Sequence, residues 1–396
     1  MKTITQRYLA LDVLRGMTVA GMILVNNPGT WSKIFPPLEH ASWSGCTPTD
    51  LVFPFFLFIV GAALCFSFAK YNEQLNSASF KKLGKRALLI FLTGLALNAF
   101  PFYPTSPDPS LSFGDNYINY LNHIRIFGVL QRIALAYFVG GLLALWLRSE
   151  KKIIVALISV IFLHTLILAL FGAPGSAFTL EGNITQKIDI ALVGENHIYH
   201  GYGIPFDPEG LLGVISGSGT VLLGFLIGGI IRKKESKADA ATTLFVTGML
   251  LLAAGKLFSI YLPINKPMWT GSYVLYAGGW ATMMLAFFIY FIDIKGKDKL
   301  FTPFRALGLN PLFAFVMAGV FAKTLGRIIK WPVVVLNDNG TFSEKSMSAS
   351  SWFYNHVCVP LLGNNEFGSL LYALIYVAIF TGMAMYLYKK KIVIKL

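Results

Sequence analysis

The residues of this chain best suited to chemistry gather around one short connection. Between two apolar stretches runs Glu39-His40-Ala41-Ser42-Trp43-Ser44-Gly45. Asn26 stands at the end of the stretch before it, and Asp50 near the start of the stretch after it. A connection this short keeps Asn26, His40 and Asp50 near one face of the membrane. A histidine beside a carboxylate and an amide has the parts of a general base, an orienting partner and a polarising group. The competing reading is a solvated loop histidine, which is what most loop histidines are.

The other histidines offer less. His164 sits among Leu and Ile in an apolar stretch, where a packed or hydrogen-bonded imidazole is expected. His123, His197, His200 and His356 fall in other connections. His197 and His200 are close in sequence, but their Gly-rich surroundings supply no third ligand, so no metal site is expected. Cys46, Cys65 and Cys358 form no CxxC pair. Cys46 and Cys358 are expected on the same side, where a disulfide between them would be allowed.

Five basic residues fall inside apolar stretches: Arg15, Arg125, Arg132, Lys256 and Lys323. Charge inside a span is costly and usually faces a cavity or a partner. On a helix, Asp12 and Arg15 lie about 60° apart and Asn26 within about 40° of both, so the three share a face. An Asp12–Arg15 ion pair that holds helices together explains the first two equally well. Arg125 and Arg132, seven residues apart, would lie nearly above one another on a single helix. Two stacked arginines facing a cavity suit a phosphorylated ligand. Snorkelling to the interface is the alternative for Arg125, and a poorer one for Arg132, which lies deeper. Arg132 and Arg125 are therefore candidate phosphate-binding cations.

The elements that must position these groups are membrane helices. Of the 396 residues, 55% are hydrophobic and 13% charged, about half the charge of a soluble domain. The charges cluster between apolar stretches of roughly twenty residues, the length of a helix that crosses the hydrocarbon core. Spans are predicted at 9–27, 48–69, 85–103, 125–147, 152–172, 210–231, 241–262, 272–292, 305–325 and 368–388. The fold class is all-α, a polytopic membrane bundle of about ten transmembrane helices forming a single domain over residues 1–396. The first span carries Asp12 and Arg15 and no small-residue cleavage site, so it is expected to be retained. The glycines of the sixth span, Gly213 to Gly229, point to close helix packing. They do not form a phosphate loop, since no Lys follows and no strand precedes.

Twenty-two basic residues fall on one set of connections and six on the other, with the sign kept through every alternation. The first set includes Lys2, Arg7, Lys70, the Lys81–Arg86 cluster, Arg232–Lys234 and Lys389–Lys391. The positive-inside rule makes that side cytoplasmic and places both termini there. The same topology accounts for the net charge of +14 without nucleic acid. The connections 28–47, 104–124, 173–209 and 326–367 are long and face outward, and they are the expected substrate-handling surface.

Several blocks together resemble a known family. They are Leu11-Asp12-Val13-Leu14-Arg15-Gly16 with Val25-Asn26, His40-Ala41-Ser42-Trp43-Ser44-Gly45 and Asp50-Leu51-Val52-Phe53-Pro54. Further on come Arg125 through Arg132, Asp207-Pro208-Glu209-Gly210-Leu211-Leu212-Gly213, Asn265-Lys266 with Trp269, and Gly308-Leu309-Asn310-Pro311. In this order the pattern is similar to the heparan-α-glucosaminide N-acetyltransferases and their bacterial relatives. The resemblance implies transfer of acetyl from cytoplasmic acetyl-CoA to the amine of a terminal glucosamine across the membrane. It implies that His40 is the active histidine, as base or acetyl carrier, and that Asn26 is the family's asparagine at the end of helix one. With acetyl-CoA as the implied donor, Arg132, Arg125, Arg15 and Lys256 are the candidates for its phosphates. The extra lumenal domain and preceding helix of the lysosomal members are not expected in this protein. The implied enzyme is thus a short bacterial-type form in a plasma membrane, whose acceptor need not be heparan sulfate.

Two other classes fit parts of the pattern. A sugar transporter without chemistry would use a polar-lined bundle, but it usually shows two related halves, and none is visible. A glycan O-acyltransferase would use the same donor and similar residues. Expected partners are acetyl-CoA, an amino sugar or glycan, and the bilayer; no metal is expected, and a homodimer is allowed.

Overall fold

The computed structural model describes residues 8–69, 74–336 and 342–394. Lys2, Arg7, Lys70 and Lys395, which enter the charge count, lie outside the described residues. In chain order the helices are α1 (Leu9–Asn26), α2 (Pro48–Phe68), α3 (Ser77–Ala99), α4 (Phe113–Asn122), α5 (Val129–Leu147), α6 (Glu150–Phe171), α7 (Ile184–Val193) and α8 (Gly213–Lys233). They continue with α9 (Lys237–Phe258), α10 (Gly271–Phe288), α11 (Thr302–Leu309), α12 (Pro311–Lys323), α13 (Ala349–Phe353), α14 (Val359–Leu362) and α15 (Glu366–Lys389).

Nine segments among the described residues are long and apolar enough to cross a membrane: α1, α2, α5, α6, α8, α9, α10 with its continuation to Ile294, α12 with its continuation to Ile328, and α15. The tenth predicted span is α3. Its first turns carry Lys81, Lys82, Lys85 and Arg86, which lower its apolar average. Its later turns still pack along α5. The protein is therefore an all-α multi-pass membrane bundle.

Close packing at the centre depends on missing side chains. α8 is buried along most of its length and lies against α2, α5 and α6. A Cβ on Gly224 would stand 2.0 Å from the Phe58 carbonyl oxygen, and one on Gly61 would stand 2.0 Å from that of Val221. Only glycine permits this α2–α8 approach, as in other membrane helix pairs joined by small residues. α6, α9 and α15 instead turn large apolar side chains outward, among them Ile158, Leu250 and Leu374. In a bilayer these face lipid.

Three local expectations change. Residues 124–128 are not helical, and α5 starts only at Val129 after Gly128, so Arg125 precedes the helix that carries Arg132. The single span expected at 305–325 is two helices, α11 and α12, divided at Asn310 and Pro311; proline cannot continue a helix from the preceding turn. The connection after α12 contains an antiparallel pair, β1 (Lys330–Leu336) and β2 (Phe342–Ser348), with Lys330 opposite Ser348. No disulfide joins Cys46 to Cys358.

Long connections lie at the bundle end where α1 finishes and α2 begins. Short basic connections lie at the other end. His40 belongs to the long-loop end.

Candidate active site

The site is built on the start of α2. Thr47 is the N-cap, Pro48 follows, and Asp50 is the third helical residue. A carboxylate there answers exposed helix N–H groups and the positive end of the helix dipole. Asp50 Oδ2 accepts from the backbone N–H of Thr47 and of Ala41, each at 3.0 Å. Its other oxygen, Oδ1, lies 2.7 Å from His40 Nδ1. One residue thus caps α2, ties the 40–47 loop to it, and receives the imidazole. Asp50 is 1% exposed, while the His40 side chain is 47% exposed. The carboxylate is fixed from within and the ring faces the approach side.

A third charged group reaches the same place from far along the chain. Lys266 Nζ lies 3.0 Å from His40 Nδ1, 3.4 Å from Nε2 and 3.5 Å from Asp50 Oδ1. Near-equal distances to both ring nitrogens put the ammonium over the ring rather than in line with one lone pair. The loop before α10 is latched to hold it there. Asn265 Nδ2 donates to the Trp43 carbonyl at 3.0 Å, and Gly45 N–H donates to the Ile264 carbonyl at 2.7 Å. Gly45 makes that bond with φ at 119°, a conformation that side chains disfavour. Burial pulls the Lys266 ammonium below its ordinary pKa, against the pull of Asp50 and Glu209. Burial and the neighbouring Asp50 push the Cys46 thiol up to about 12, so it stays protonated.

A second polar layer lies next to the first. Arg125 grips Asp207 through Nε at 2.9 Å and Nη2 at 2.6 Å, and it reaches Glu209 Oε2 at 2.5 Å. Its guanidinium also lies 4.8 Å from the Tyr199 ring centre. These carboxylates hold its pKa above the usual arginine range despite burial. Arg132 is 1% exposed; Nη2 donates to the Gly210 carbonyl at 2.8 Å, and the group lies over Trp269 at 5.3 Å. Its Nε and Nη1 have no hydrogen-bond partner among the described residues. Asp189 accepts from Leu211 N–H at 2.9 Å, and burial raises its carboxyl to about 7.

Trp269 joins the two layers. It is fully buried, donates to Thr220 Oγ1 at 3.1 Å, and packs edge-on against Phe53 and Tyr273. Tyr273 in turn donates to the Asp50 backbone carbonyl at 2.5 Å.

The structure unites His40 and Asp50 but does not gather every predicted site residue. Asn26 is the exposed last residue of α1, at the same bundle end; no hydrogen bond joins it to either residue. Arg15 lies eleven residues earlier, about 16 Å down the helix, and donates to Asp12 Oδ1 and the Gly308 carbonyl, both at 3.2 Å. Lys256 is exposed in the last turn of α9. Arg125 and Arg132 do not stack on one helix. They flank the segment 207–210 instead, and Arg125 is held by two carboxylates. Lys323 caps the end of α3, donating to the carbonyls of Leu97 and Asn98. Lys266 was missed as a site residue, although Asn265-Lys266 stood out as a block.

Fold and site together define a class: a polytopic helical membrane protein with a histidine–carboxylate–lysine cluster at its long-loop end. Residues 7–192 match the catalytic family of heparan-α-glucosaminide N-acetyltransferase. The human protein of that name is 27% identical over 374 residues, covering 81% of this chain and 54% of the human one. The mouse protein is 27% identical over 363 residues, covering 78% and 53%. The matched residues 7–192 include Asn26, His40, Asp50, Arg125 and Arg132. The chain spans about half the length of the curated relatives it matches.

Proposed function

We propose that the protein is a transmembrane N-acetyltransferase. It moves acetyl from cytoplasmic acetyl-CoA to the amine of a glucosamine-type amino sugar or glycan on the opposite side. The observation that carries this reading is the 2.7 Å contact between His40 and Asp50 at the open end of the bundle. A carboxylate only accepts, so Nδ1 donates to it and Nε2 keeps its lone pair for the proton of an attacking amine. Asn26, at the same end with its amide uncommitted, acts as a donor to the substrate. Arg132, with two unpartnered donors behind the site, is the first choice for an anionic group of the donor. Arg125, already held by carboxylates, comes after it, and Arg15 and Lys256 contact the donor only if it extends beyond the site.

Purified protein supplied with labelled acetyl-CoA and a panel of amino sugars and glycans should transfer label to an amine. Failure with every acceptor overturns the reading. A product that releases acetate in mild alkali would mark an ester and so an O-acyltransferase.

The basic residues support an extracytoplasmic His40 and cytoplasmic termini in a bacterial-type plasma membrane. With a Cys-free background, a single cysteine at position 40 should react with an impermeant maleimide in intact cells. One at position 234 should react only after lysis. The reverse pattern would invert the orientation.

A further inference from the structure

We infer that Lys266 is a catalytic residue: its ammonium donates to the oxyanion that forms when the acceptor amine attacks the acyl thioester. The inference rests on the acetyltransferase reading and adds to it a group that sequence blocks alone do not assign.

The geometry has three parts. Lys266 Nζ is 3.0 Å and 3.4 Å from the two nitrogens of His40. It is 3.5 Å from Asp50 Oδ1, whereas His40 holds that oxygen at 2.7 Å. Lys266 is therefore not the close partner of the carboxylate. An ammonium has three N–H donors. Asp50 takes at most one here, and Nδ1 of His40 is already committed to Asp50. The remaining donors lie within 3.4 Å of Nε2, next to the position in the ring plane from which an amine delivers its proton to the Nε2 lone pair. The latch through Asn265 and Gly45 fixes that placement before substrate arrives, as an oxyanion donor requires.

The step balances as follows. The amine nitrogen bonds to the thioester carbonyl carbon, and the carbonyl π pair moves onto oxygen beside Lys266. His40 Nε2 takes the amine proton. The oxyanion reforms the carbonyl, the C–S bond breaks, and the sulfur leaves with the electron pair and takes the proton back from the imidazolium.

Charged and titratable groups around Lys266 come from three sides: His40 and Cys46 in the α1–α2 loop, Asp50 at the start of α2, and Glu209 before α8. Tyr202 and Tyr273 lie near the same carboxylates, Asp50 and Glu209; burial keeps the phenol of Tyr202 protonated. With its pKa lowered by burial, Lys266 loses its proton at a lower pH than a free lysine. Transfer should then fall on the alkaline side as that proton leaves.

The test compares wild type, Lys266→Met and Lys266→Arg in steady-state acetyl transfer across pH, with thermal unfolding as a folding control. Removing an oxyanion donor typically costs about 10²–10³ in kcat. Lys266→Met should lose that much in kcat with little change in KM, and its alkaline fall should disappear. Lys266→Arg should recover part of the rate and also lack the alkaline fall, because arginine stays charged. An active wild type whose folded Met variant keeps kcat within about threefold, far short of the loss expected for an oxyanion donor, overturns the inference alone. So does an alkaline fall that persists in the Arg variant. A wild type that acetylates no acceptor overturns the underlying reading and takes this inference with it.

Discussion

Replacing His40 by alanine should abolish acetyl transfer while leaving the protein folded. Loss of a positioned general base costs about 10²–10⁴-fold, and no other imidazole stands beside Asp50. The fold should tolerate the change. The His40 side chain is 47% exposed, and it is one of several partners of the buried carboxylate. Without it, Asp50 still accepts from the N–H groups of Ala41 and Thr47, and Lys266 remains 3.5 Å away. The α2 cap and the 40–47 loop therefore keep their anchor. Initial rates with labelled donor, together with thermal unfolding in the same detergent, separate the two effects. A folded His40→Ala protein that keeps more than about a tenth of the wild-type rate, well above what loss of a general base leaves, would remove histidine from the chemistry.

The largest loss of stability is expected at Asp207. This carboxylate is fully buried and accepts four hydrogen bonds: two from Arg125, one from Tyr199 N–H at 3.2 Å and one from Glu209 N–H at 2.9 Å. Asp207→Ala would leave all four donors short of a partner, and Arg125 would keep only Glu209. Breaking a buried ion pair from one side costs about 3–5 kcal/mol. The loss should concentrate in the segment from 195 to 213, which carries Glu209 toward Lys266 and Gly210 toward Arg132. Hydrogen exchange there should rise more than in α15, which packs against α1, α11 and α12. A shift in stability below about 1 kcal/mol would mean that this layer is hydrated and that Arg125 is not desolvated in practice.

The coupling between these two sites explains why the second matters for function. Trp269 stands between Arg132 and Tyr273, and Tyr273 donates to the backbone of Asp50. Disorder in the Asp207–Gly210 segment would reach the catalytic end through that packed chain. An Asp207→Ala protein is thus expected to lose rate as well as stability, with the loss of rate secondary to the loss of order.

Sequence by itself determined the class of the fold. Span length and hydropathy are local properties, so the helices appear within a few residues of their predicted places. The exceptions have local causes. α3 starts early because its basic first turns are helical but not apolar. The break at Asn310-Pro311 was legible from the proline, and so was the β-branched run Val333-Val334-Val335 in β1. Asp50 beside His40 was also within reach, because ten residues of connection leave little room for separation, and Thr47-Pro48-Thr49-Asp50 is a helix-start pattern. What tertiary structure alone decided is which distant charges meet. Asp207 and Glu209 reach Arg125 from more than eighty residues away, and Lys266 reaches His40 from 226. Nothing in the spacing of a helix encodes that. It follows from which helices can approach, and glycines such as Gly61 and Gly224 set that approach by leaving room for backbone against backbone. Periodicity tells a residue which face it is on; only packing tells that face what it touches.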